Sequence, residues 1–151
     1  MFFKFEADFI QSLRCIPMVV RYNLDTCGVK LKLQHWHQLS YEQRDYLATT
    51  PCQTPAEISH YRDTLQNWLI ALTGQPANTL AIDDHPDWLK ENQIPDAVQT
   101  ACQDKISTFI LSQEQWQQLT PLQRFVLIKL SRPGHENRNF IPALKEFQLL
   151  N

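Results

Sequence analysis

Residues 31–47 and 111–127 carry one pattern written twice. They read LKLQHWHQLSYEQRDYL and LSQEQWQQLTPLQRFVL, and both fit L-x4-W-x-Q-L-[ST]-x-x-Q-R-x-x-L. Trp36 and Trp116 are 80 residues apart, as are Arg44 and Arg124. A repeat held at fixed offset means that one local structure has to be built in two places. Upstream, Ile-Pro pairs at 16–17 and 94–95 each open a short helical segment. The unit expected is a helix, a short extended piece, a helix carrying the tryptophan, a capped turn and a further helix. The related halves then span roughly 16–47 and 94–127.

The chemistry of the unit explains its residues. Trp and the following Leu lie three positions apart, on one helical face, and anchor it. Ser40 and Thr120 begin S/T-x-x-Q capping boxes that Gln43 and Gln123 complete. The extended pieces GVKLKL and STFIL could pair with each other as a minimal two-stranded ribbon. That layout resembles paired calcium loops, but Asp25, Thr26, Cys27 and Gly28 do not supply the oxygen ligands calcium needs.

Outside the repeat, helix signals continue. TPAE at 54–57 is a capping box with Pro55 at the first helical position. Ile58, Tyr61, Leu65, Trp68, Leu69 and Leu72 follow at helical spacing, and Gly74 ends the run. The helix after Thr120 is apolar on nearly every side, which puts it at the centre of the fold with Gln123, Arg124 and Lys129 as its polar exits. A closing helix begins near Asn139 as its cap and turns Phe140, Leu144 and Phe147 to one face. At the start, Phe3, Phe5, Ala7 and Phe9 alternate with charge, predicting extended structure to about residue 7 and helix beyond. Residues 74–95 form a long acidic connection that Leu80 and Trp88 pin to the body. The fold expected is an all-α single domain over residues 1–151, with about six to eight short helices and an internal duplication.

Composition narrows the function classes. A net charge of −2 gives no general attraction to nucleic acid or to an anionic membrane. No apolar run is long enough to span a bilayer, and Lys4, Glu6 and Asp8 interrupt any secretory core, so a cytoplasmic protein is expected. Cys15, Cys27, Cys52 and Cys102 are scattered without a CxxC pair and read as free thiols. In HWH at 35–37 the imidazoles point about 200° apart on a helix and cannot grip one metal. There is no glycine-rich phosphate loop, HExxH or GxSxG. No metal, cofactor or catalytic constellation is expected, and the chain does not read as an enzyme.

One segment stands apart. Arg124, Lys129, Arg132, Arg138 and Lys145 are five of the chain's 14 Lys and Arg, gathered in 22 residues with only Glu136 opposing them. Pro133-Gly134 makes a tight turn, and His135, Glu136 and Asn137 offer donors and acceptors at its tip. A polar loop braced by apolar helices suits a carboxylate, a phosphate or an acidic partner surface; it equally suits a plain connector.

SLRCIPMVVRYNLDTCGVKL, the two W-x-Q-L units and LSRPGHENRNFIPALKEF closely resemble the cyanobacterial nitrate reductase-associated protein family. The resemblance runs from Phe5 to Phe147. It implies an accessory protein that supports activity or maturation of the molybdenum-dependent assimilatory nitrate reductase, with that reductase as partner and the molybdenum cofactor machinery as a further one. It carries over no catalytic residue. The residues expected to dock the partner are Lys129, Arg132, His135, Glu136, Asn137 and Arg138. The alternatives are a small enzyme acting on a molybdenum cofactor precursor through Cys15 and His135, and a nitrogen-status regulator.

Overall fold

Capping chemistry sets most of the helix boundaries. A computed structural model describes residues 1–151, apart from the side chains of His135 and Glu136, which lie outside the described residues. Among the described residues the fold is all-α, with eight α-helices and one two-stranded antiparallel ribbon. Contacts within the chain cluster into two units, Met1–Ile82 and Asp83–Asn151.

In the first unit, α1 (Met18–Cys27) starts after Pro17, which has no side-chain oxygen to cap it. Glu6 supplies one instead: its carboxylate accepts from the Met18 amide at 2.8 Å and from the Phe3 amide at 3.1 Å. Drawing Glu6 inside, to 2% exposure, converts the expected N-terminal strand into a 3₁₀ turn at Lys4–Glu6. The alternating phenylalanines stack instead, with the Phe3 and Phe5 rings 5.4 Å apart. Turns rather than the expected helix then lead to Leu13, at φ 52°.

Gly28 ends α1 at φ 78°, and its carbonyl accepts from the Leu80 amide at 2.8 Å. The ribbon follows at once: β1 (Val29–Lys30) pairs antiparallel with β2 (Asn78–Thr79), Val29 opposite Thr79. The partner is therefore not STFIL, as the repeat suggested. In the second unit the Gln99 amide takes both backbone groups of Leu111, donating at 2.7 Å and accepting at 3.2 Å. A side chain thus satisfies that segment in place of a second strand.

The remaining helices of the first unit are α2 (Leu33–Gln38), α3 (Tyr41–Thr49) and α4 (Pro55–Thr73). The last begins in the Thr54–Glu57 capping box and stops at Gly74, φ 84°. Tyr61, Leu65 and Leu69, each four residues on, face a core that includes Val20, Leu24, Trp36 and Leu47.

The second unit contains α5 (Asp96–Lys105), α6 (Gln113–Gln118), α7 (Pro121–Ser131) and α8 (Phe140–Glu146). Phe125, Val126, Leu127, Ile128 and Leu130 of α7 are all buried, so this helix is the centre of its unit. Trp88 meets Phe125 edge-on at 5.1 Å. The two residues expected to pin the acidic connection thus belong to different units, Leu80 to the first and Trp88 to the second. Asn139 precedes α8 but makes no side-chain cap bond, because a 3₁₀ turn (His135–Asn139) already leads into the helix.

Candidate docking surface

The repeated positions first show which of the basic residues are structural. Trp36 and Trp116 are both fully buried. The Trp36 indole N–H donates to the Leu13 carbonyl at 2.7 Å, and that of Trp116 donates to the Lys90 carbonyl at 2.8 Å. Arg44 Nε donates to the Trp36 carbonyl at 3.0 Å, and Arg124 donates to the Trp116 carbonyl at 3.2 Å. Arg124 also holds the Leu119 and Trp88 carbonyls, each at 2.7 Å. At 2% exposure it is no polar exit of α7 and belongs to no surface patch. Its charge is spent on the carbonyl ends of a buried turn.

Lys129 is half-buried, with its ammonium 5.2 Å from the centre of the Phe125 ring. A cation over an aromatic face is held by the ring's negative quadrupole. Lys129 is therefore held against its own helix, one turn back from the loop.

Beyond α7 the chain turns extended at Arg132, and Gly134 adopts φ 143°, ψ −177°, a region nearly closed to other residues. Asn137 closes the turn. Its side-chain amide donates to the Leu130 carbonyl at 3.3 Å and the Arg132 carbonyl at 3.2 Å, which satisfies the end of α7. Asn137 is thus first a C-terminal clamp. Arg132 and Arg138 are exposed on either side of it. The expectation that His135 and Glu136 bind the partner falls on side chains outside the described residues.

Against this loop lies a groove of about 560 Å³, with Asp96, Thr100 and Asp104 of α5 on one wall and Pro133, Gly134 and Asn137 on the other. Lys105 adds a positive charge at its end. Carboxylates thus stand along α5, and the loop that forms the opposite wall carries the exposed Arg132 and Arg138. The α5 wall is absent from the expectation built on the loop alone. Asp96, Thr100 and Asp104 recur every four residues, an exposed polar stripe that marked one face of the helix in advance.

The other candidates are engaged elsewhere. His35 Nδ1 accepts from the Lys32 amide at 3.1 Å, and His37 Nε2 lies 2.9 Å from the Arg14 carbonyl. Burial pushes the Cys102 thiol up to about 11. Cys15 is half-buried and belongs to the first unit, whereas His135 belongs to the second. Among the described residues no helix is long and apolar enough to cross a membrane.

The model of one family, described as conserved nitrate reductase-associated protein, matches residues 2–147. No curated protein and no solved structure gives a match.

Proposed function

The chain belongs to the conserved nitrate reductase-associated protein family, and we propose from that premise that it is an accessory protein that docks onto nitrate reductase through the α7–α8 loop and the face of α5 beside it. The observation that carries the reading is the division of labour among the polar residues. Arg124 is committed to the turn before α7, Lys129 lies over Phe125 and Asn137 closes the loop, whereas Arg132 and Arg138 stand exposed beside a groove with an acidic wall. A rigid support presenting two free-standing guanidinium groups suits carboxylates on a partner, because the fork geometry of arginine matches them. The carboxylates of Asp96 and Asp104 fix the orientation, since a partner docked in reverse would oppose like charges, which costs several kcal/mol.

In this reading the reductase is the molybdenum-dependent assimilatory enzyme, and the docked protein supports its maturation or activity. Docking rather than catalysis is favoured by the burial of three of the four thiols and the local engagement of the paired histidines.

Growth on nitrate provides the test. In a strain lacking the protein, the Arg132→Glu, Arg138→Glu double variant is expected to fold normally and fail to restore reductase activity. Full restoration by that variant would remove the loop as the working surface. His135→Ala addresses the enzyme alternative in the same strain; loss of function with reductase binding intact would favour catalysis.

A further inference from the structure

Two of the four cysteines meet inside the first unit. Cys27 is the last residue of α1, and Cys52 lies in the short connection between α3 and α4. Cys27 Sγ donates to the Leu24 carbonyl and Cys52 Sγ to the Asn23 carbonyl, each at 3.8 Å, so both sulfurs sit against successive carbonyls of the last turns of α1. Each thiol is thus placed to act on the other's acidity. The neighbouring thiol lowers Cys27 below the ordinary thiol range and raises Cys52 above it. Burial opposes the fall at Cys27, and the Arg62 guanidinium assists it.

Neither thiol is exposed, at 1% for Cys27 and 3% for Cys52. The backbone around Cys52 is nonetheless at the surface, with Pro51 and Gln53 exposed on either side. A displacement of this connection uncovers the pair without opening the helices beneath it. Short irregular segments are where such local openings cost least.

We propose that Cys27 and Cys52 form an oxidation site that hydrogen peroxide converts to a disulfide, tying the end of α1 to the α3–α4 connection. The Cys27 sulfur attacks one peroxide oxygen and the O–O bond breaks. The departing hydroxide takes up the Cys27 proton as water, leaving a sulfenic acid. The Cys52 sulfur then attacks the Cys27 sulfur, the S–O bond breaks, and the hydroxyl group leaves as water with the Cys52 proton. Two thiols are oxidised by two electrons and one peroxide is reduced to two waters. The bond closes a loop of about 25 residues enclosing β1, α2 and α3, which is the first copy of the repeated pattern. Oxidation therefore rigidifies that copy, and thiol reductants reverse it.

The test treats the purified full-length chain with hydrogen peroxide, blocks the remaining thiols by alkylation, and maps non-reduced peptides by mass spectrometry. The expected product lacks two hydrogens, joins the peptides containing Cys27 and Cys52, and has a Tm several degrees higher, all reversed by dithiothreitol. Cross-linking should be at least about tenfold faster in the folded chain than in urea, because the fold holds the sulfurs together. In Cys52→Ser, Cys27 is expected to stop at a sulfenic acid that dimedone captures. Oxidation confined to Cys15, or a cross-link forming no faster when folded than in urea, overturns the proposal. Both outcomes are read on the unsubstituted protein, so they hold even if a variant fails to fold.

Discussion

Arg44 and Arg124 occupy the same place in the repeat and bind the same backbone feature, the carbonyl of the tryptophan eight residues before them. Their surroundings differ. Each also holds two further carbonyls, but Arg44 is half-buried and reaches Leu13 and His37 at 3.4 and 3.0 Å, whereas Arg124 is buried and reaches Trp88 and Leu119 at 2.7 Å. Charged hydrogen bonds deep in a fold are worth more than those that water can replace. Arg124→Ala is therefore expected to lower stability by about 2–4 kcal/mol and Arg44→Ala by about 1–2 kcal/mol, measured by urea unfolding. Equal costs would show that burial is not what separates the two. The tryptophans invite the same comparison. Trp116→Ala should cost about 3–5 kcal/mol, as the loss of a fully buried aromatic does, and Trp36→Ala should fall in the same range. A change below about 1 kcal/mol at either site would contradict its role as an anchor.

Among the elements, those with a capping signal were legible and those held by remote side chains were not. Ser40, Thr54 and Thr120 each accept from the amide three residues on, so the starts of α3, α4 and α7 stood in the sequence as hydroxyl, spacing and acceptor. The start of α1 did not, because its cap is Glu6, twelve residues away from Met18. The ribbon was misassigned for a similar reason. The alternation in GVKLKL marks β1 but cannot say which segment it meets, and β2 is two residues of an otherwise irregular connection. Gly28 is what fixes that pairing. Its positive φ ends α1, and a Cβ there would sit 2.9 Å from both Ile82 Cγ1 and the Leu80 carbonyl oxygen. Gly28→Ala is expected to cost about 1–3 kcal/mol and to speed amide exchange at Leu80. Unchanged exchange at Leu80 would show that the ribbon does not depend on this contact. At the candidate site, the loop was visible as a cluster of charge. Sequence gives charge but not address, so Arg124 and Lys129 were counted with the surface although one is buried and the other lies over Phe125. The α5 wall, about 30 residues distant in the chain, carried no sign that it faces the loop.

For the molecule as a whole, a net charge of −2 conceals a strong local contrast. In the second unit, exposed arginines belong to the loop that forms one wall of a groove, and Asp96 and Asp104 line the other. Such a face attracts little at long range but selects orientation at contact. The family is named for its association with nitrate reductase, and this face is the surface proposed to meet it. The most direct measurement is a binding titration of the purified protein against nitrate reductase, with and without the Arg132→Glu, Arg138→Glu substitutions and at rising salt. Saturable binding is expected, weakened as the screening length shrinks below about 8–10 Å and lost in the double variant at unchanged Tm. Binding that the double variant retains in full, at every salt concentration, would contradict the account.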